Sequence, residues 1–123
     1  MLEIDLIATL ESRYSCKVFP VTITEGEPYP IITYKETSNK RNSNSSLRLA
    51  NLRDQSFTIT FISDTDVWVF ENKDNFINYF EMYSGLLGAT KIFTTTIDSA
   101  RADFDNTQRI YKYSIDVTFT KHV

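Results

Sequence analysis

The stretch QSFTITFISDTDVWVFENKDNFINYFEMYSG, residues 55–85, decides the fold, because its hydrophobic period changes once along its length. Phe57, Ile59 and Phe61 alternate with Ser56, Thr58 and Thr60, the period of two of a half-buried strand. Beyond the polar Ser63-Asp64-Thr65-Asp66, the residues Val69, Phe70, Phe76, Ile77, Phe80 and Tyr83 recur at helical separations and fall on one broad face. Gly85 is expected to end that helix, since it tolerates the left-handed conformation of a helix C-terminus. Asp64 or Asp66 is expected to cap its start by accepting from the orphan amides. A strand and a helix, each apolar on one face, make two layers of a core. The rest of the chain must supply neighbouring strands and a second cover.

Upstream, Leu2, Leu6, Ile7, Leu10 and Tyr14 predict a helix from Leu2 to Ser15, with Glu3 and Asp5 in the first turn, where negative charge suits the helix dipole. Lys17 to Thr22 reads as a short extended segment that Pro20 confines to an edge or a strand end. Glu25 to Pro30 is a turn, and Ile31 to Glu36 a second strand with Ile32 and Tyr34 on one face. Ser38-Asn39-Lys40-Arg41-Asn42-Ser43-Asn44-Ser45-Ser46 then contains no apolar side chain. Downstream, Lys91 to Ile97 predicts a strand, Asp98 to Gln108 a connection, and the C-terminal segment a strand of clean alternation. In that strand Tyr111, Tyr113, Ile115, Val117 and Phe119 oppose Lys112, Ser114, Asp116, Thr118 and Thr120. The order α-β-β-β-α-β-β predicts an α+β fold: a mostly antiparallel sheet of four to five strands with two helices packed on one face.

The 123 residues form a single domain, residues 1–123, long enough to bury roughly two thirds of the surface of the unfolded chain. One cysteine excludes an intrachain disulfide framework, and one Cys with one His is a poor basis for a zinc site. No apolar run approaches the roughly 20 residues of a membrane span, so no membrane partner is expected. The N-terminus carries acids where a signal peptide carries bases, so export is not expected. A net charge of −3 argues against sequence-independent gripping of nucleic acid by the domain as a whole.

No catalytic constellation, cofactor site or metal site emerges from these residues. The only histidine, His122, is penultimate and reads as a frayed terminal residue, which leaves a nucleophile without a base. Asp103-Phe104-Asp105-Asn106 has the look of a metal-ligand run but lacks the glycine and closing glutamate of a calcium loop, and reads as a solvated turn. Cys16 stands beside Lys17, which would lower its pKa slightly, and reads as a small half-buried residue. Trp68 and the aromatic helix face read as core. The segment without a packing explanation is a polar loop at 37–52, a long connection of the kind that is functional or disordered. From Thr37 through Arg53 its charges are Lys40, Arg41, Arg48 and Arg53, with no acid, which suits an acidic or phosphate-bearing partner.

The order of elements and several local motifs together resemble the tail-terminator or tail-completion proteins of long-tailed bacteriophages, the lambda-like minor tail proteins. The resemblance rests on an amphipathic first helix followed by Val18-Phe19-Pro20, on Pro30-Ile31-Ile32-Thr33-Tyr34, and on a variable polar loop. It continues through a strand that opens into a second helix between Arg53 and Asp66, a glycine after that helix, and the closing Tyr113-Ser114-Ile115-Asp116-Val117. It spans nearly the whole chain, which is poorer in Ala and Gly and richer in Asn, Tyr and Phe than the family pattern. The resemblance implies a non-enzymatic assembly protein that needs no cofactor. Such proteins form a homo-oligomeric ring, typically a hexamer, on the head-proximal end of the tail tube, stop tube growth and offer a surface for head joining. The implied partners are further copies of the chain, the tail tube protein and a head-completion or connector protein, while DNA passes the lumen without sequence-specific binding. The implied location is the tail-neck junction of the virion, and the host cytoplasm during assembly. Lys40, Arg41, Arg48 and Arg53 are the expected contacts to the tube or the adjacent subunit, with Asp103 and Asp105 on the complementary side. A head-side neck or adaptor protein is the competing reading, and a small-molecule-binding α+β domain a third.

Overall fold

The computed structural model describes residues 2–20, 28–41, 52–107 and 109–122. In chain order the elements are α1 (Leu2–Tyr14), β1 (Lys17–Pro20), β2 (Ile31–Arg41), β3 (Leu52–Ser63), α2 (Asp66–Phe80), β4 (Gly85–Leu87), β5 (Thr90–Asp105) and β6 (Ile110–His122). The strands form one sheet in the order β1-β2-β3-β6-β5-β4, curled into a half-barrel. The α+β class and the antiparallel character hold, with one parallel pair, β1 with β2. Among the described residues the sheet has six strands rather than four to five. The additional strand, β4, has only three residues, too few to show any alternation.

Periodicity locates most of the core, but Phe70, expected on the apolar face of the second helix, is 42% exposed. Leu2, Leu6, Leu10 and Tyr14 of α1 and Val69, Phe76 and Phe80 of α2 are buried against one face of the sheet. That face consists of Ile32 and Tyr34 of β2, Phe57, Ile59 and Phe61 of β3, and Ile115, Val117 and Phe119 of β6. Phe61 joins the layers: its ring lies 5.3 Å from Tyr14, 5.7 Å from Phe76 and 6.0 Å from Trp68. Burying a phenyl group of this kind contributes about 1.5–3 kcal/mol. A smaller cluster of Ile31, Ile62 and Ile110 forms a separate patch, with Phe19 packed against it.

Several boundaries differ from expectation. The second helix ends at Phe80, and the left-handed residue that follows is Met82 (φ 63°), while Gly85 (φ 115°) opens β4. The amide of Met82 donates to the carbonyl of Thr95 in β5, so a tertiary hydrogen bond holds a conformation that propensity assigns to glycine. The N-cap is Thr65, which makes no side-chain cap bond, so neither Asp64 nor Asp66 performs the expected capping. The expected 37–52 loop begins as strand: Thr37 to Arg41 belong to β2, and Leu52 opens β3. These exposed β2 residues are held by main-chain pairing with Arg53–Ser56 rather than by burial, which hides them from a hydrophobicity pattern. Similarly, β5 runs on through most of the expected Asp98–Gln108 connection to Asp105. A register shift between Ile97 and Ser99 breaks its alternation, and Asp98–Phe104 is exposed at every residue. His122 is a strand residue, paired with Leu52, and its ring lies 5.9 Å from that of Phe93.

Candidate assembly surfaces

The strand directions sort the charged residues into two groups at opposite ends of the sheet. β2 and β6 both finish at the end where β3 and β5 begin. Arg41 of β2 pairs with Arg53 of β3, which pairs with Lys121 of β6, so three cations form one row across three strands. Directly opposed residues have Cβ atoms about 4.5–5.5 Å apart, and like charges at that spacing destabilise a sheet. Arg53 is steadied by Asn39, whose side-chain oxygen accepts from Nε at 2.9 Å. Among the described residues no carboxylate forms an ion pair with Arg53, Lys91 or Lys121. Arg53 and Lys121 lie on the same sheet face as Phe57 and Phe119, so the core face turns cationic at this end. There Arg53, Lys91, Lys121 and His122, with Leu2 and the Ala89–Thr90 turn, line an open cavity of about 380 Å³.

Lys40 lies on the opposite face, paired across the strands with Asp54, whose Oδ1 accepts from Thr120 at 2.7 Å. Two cations of the expected site, Arg41 and Arg53, are therefore neighbours, and Lys40 adjoins them across the sheet. Arg48 lies outside the described residues. Lys121 and Lys91 complete the cationic end, with His122 beside them, and all three are remote in sequence from Arg41 and Arg53. Only the register of β3 with β6 and of β6 with β5 brings them there.

Asp103 and Asp105 occupy the other end, where β5 turns into β6. From Ile110 to Lys121, β6 separates the two ends by about 35 Å at roughly 3.3 Å per residue. The expected complementary acids therefore do not meet the cations within one molecule. Asp103 pairs across the strands with Lys112 and accepts from the amide of Phe104 at 2.8 Å, whereas Asp105 accepts from the amide of Thr107 at 2.9 Å and shapes the turn. Asp64 and Arg109 also stand here, around a cavity of about 400 Å³ lined by Phe104, Asn106 and Tyr111. Beside it Phe70, Ala102, Phe104 and Tyr111 line an apolar groove of about 270 Å³, in which Phe70 and Phe104 are both more than 40% exposed.

Between the ends, the sheet face away from the helices is a ladder of small polar side chains. Thr58 and Ser99 each donate to Asp116 at 2.7 Å and Arg101 does so at 2.8 Å. Ser56 bonds Thr118 at 2.8 Å, Thr60 bonds Ser114 at 3.0 Å, and Thr118 donates to Asp98 at 2.6 Å. Burial pushes the Asp116 carboxyl up, but the bonds from Thr58, Ser99 and Arg101 outweigh it and hold the pKa below the ordinary carboxylate value. The ladder corresponds in the sequence to the polar positions Ser56, Thr58 and Thr60 of β3 and Ser114, Asp116 and Thr118 of β6.

The remaining chemical candidates resolve into structure. Burial pushes the Cys16 thiol up to about 11, with Glu11 adding to the effect, so the expected lowering by Lys17 does not occur. Trp68 packs on Phe61 in the core. Among the described residues no three His, Cys, Asp or Glu side chains cluster to hold a metal ion. No described helix is long and apolar enough to cross a membrane.

No protein-family model and no curated protein sequence matches the chain. In fold it is similar to a chain in the structure of the virion of a native gene transfer agent particle, with a TM-score of 0.61 at 9% sequence identity, over 94% of this chain and 86% of that one. The whole architecture, rather than a fragment of it, is thus shared with a virion component.

Proposed function

We propose that this chain is a non-enzymatic structural protein of a phage-like virion that closes into a homo-oligomeric ring, a hexamer, on the head-proximal end of the tail tube. In that position it stops tube growth and presents a surface to the head connector. The observation that carries the reading is the fold shared along 94% of the chain with a component of a gene transfer agent virion. The order of motifs that resembles the tail-terminator family points the same way.

The charge distribution supports self-assembly. A cationic end and an end bearing Asp64, Asp103 and Asp105 beside Arg109 and Lys112 are different patches on one molecule, so contact between them is head-to-tail, the type of contact that closes into a ring when the rotation permits. A net acidic subunit also suits a lumen through which DNA passes without being held.

Electron microscopy of particles made without the protein tests the role. Overlong tails are the expected outcome. Tails of normal length that fail to join heads would assign the protein to the head side as an adaptor, and normal particles would refute both roles.

A further inference from the structure

Among the described residues, the outer edges of the sheet are covered over only part of their length, and the uncovered parts lie at opposite ends. β4 pairs with Thr90–Ile92 alone, and the Met82 amide reaches Thr95. From Asp98 to Phe104, β5 has no further strand beside it among the described residues, and every residue is exposed. On the other side, among the described residues β1 pairs with Ile31–Tyr34 alone, and beyond it Lys35–Lys40 of β2 is exposed at every residue except the half-buried Ser38. Open edges of this length are templates for pairing with another chain.

We infer that the β5 edge at Asp98–Phe104 pairs antiparallel with the β2 edge at Lys35–Lys40 of a second copy, so that the sheet continues from subunit to subunit. This rests on the ring reading above and specifies its contact. Within one sheet β2 and β5 run in opposite directions, and copies related by a rotation that extends the sheet preserve that relation. The charges agree with the pairing: the β5 edge carries Asp98, Arg101 and Asp103, and the β2 edge carries Lys35, Glu36 and Lys40. Antiparallel alignment sets Asp98 beside the neighbour's Lys40 and Asp103 toward its Lys35. Glu36, the one acid of the β2 edge, is engaged by the Gln55 amide at 2.9 Å. Because the two open segments lie at opposite ends, each neighbour must be displaced along the strand direction. A sheet closed with tilted strands has such a stagger.

The carbonyl of Thr95 points outward, where it accepts from Met82, and alternation carried through the bulge at Asp98 directs the main-chain groups of Ala100, Ala102 and Phe104 outward too. Proline at these positions removes a donor from the open edge and none from the ladder with β6.

The test compares native protein with Ala102→Pro and, independently, Ala100→Pro, by sedimentation and by residue-resolved hydrogen exchange, alone and with tube protein. The expected result is a native oligomer in which the Ala100, Ala102 and Phe104 amides exchange at least about tenfold more slowly than in the dilute monomer. Each proline variant should keep the native melting temperature within a few degrees and associate at least about tenfold more weakly. Prolines that leave a native oligomer unchanged would overturn the strand pairing while the ring stands. Protection that appears only with tube protein would assign the edge to that partner and overturn pairing between copies. A native chain that stays monomeric under both conditions would overturn the ring and the pairing together.

Discussion

Asp116→Asn tests whether the polar ladder stabilises the sheet. Asp116 accepts three hydrogen bonds, from Thr58 on β3 and from Ser99 and Arg101 on β5, so one carboxylate ties β6 to both neighbouring strands. Its side chain is 33% exposed, and the Arg101 partner is 58% exposed, so the ion pair itself is worth at most about 1 kcal/mol. The Thr58 bond is half-buried and made to a charged acceptor, which places it in the range of about 1.5–3 kcal/mol. Asparagine keeps one acceptor for Thr58 but turns an NH₂ toward the Ser99 and Arg101 donors. We expect a loss of about 2 kcal/mol, a fall in melting temperature of about 8 °C for a domain of this size. The pH dependence supplies the sharper check. The folded-state pKa of Asp116 is lowered, so its contribution is fully present above the unfolded-state value of about 3.9 and disappears as pH falls through the folded value. Circular-dichroism melts of both proteins at a series of pH values should show a gap that is constant above about pH 5 and narrows below about pH 4. A gap of less than about 2 °C at neutral pH, or one that persists unchanged in acid, would refute the reasoning.

Gly88→Ala should cost about 1–3 kcal/mol, measured by urea denaturation: the position has φ +60°, and an added Cβ would lie 2.5 Å from Asp5 Oδ1, forcing apart the bond between Asp5 and Thr90. Alkylation of Cys16 by iodoacetamide at pH 8 should be about hundredfold slower in the folded protein than in urea, because burial holds the thiol near 11; equal rates would contradict that burial. Arg53→Glu should leave monomer stability within about 0.5 kcal/mol, since a like-charge neighbour is relieved while the Asn39 bonds are lost. The same variant should abolish self-association in light scattering, and native association should weaken as salt is raised, because screening acts on exposed charges. Association unchanged by either would remove the cationic end from the interface.

The parts of the fold legible in the sequence are those in which one face is buried. Phe57-Ile59-Phe61 and Ile115-Val117-Phe119 announced two central strands because alternation is a direct record of a one-sided environment. Where both faces meet solvent the record vanishes. Asp98–Phe104 and Thr37–Arg41 are strands by virtue of main-chain pairing with a neighbour, and their side chains resemble those of any polar connection. The candidate site fared likewise. Arg41 and Arg53 share one charged segment of sequence, whereas Lys91, Lys121 and His122 reach the same end only through strand register, a property of the folded sheet.

That limit bears on how the cationic end should be understood. A row of Arg41, Arg53 and Lys121 opposes like charges across two strand pairs, above a core sealed by Phe57, Phe119 and Phe80. A sheet optimised for its own stability would alternate the signs, as it does at Asp103 with Lys112 and at Lys40 with Asp54. Among the described residues the row of cations departs from that alternation. Such departures from local consistency concentrate where a protein meets something else. The acids at the far end lie too far away to reach the row within one molecule, and in the proposed ring those of a second copy would face it. In the proposed ring, contact that brings those acids to Arg53 and Lys121 would favour association without any change in the fold that carries them.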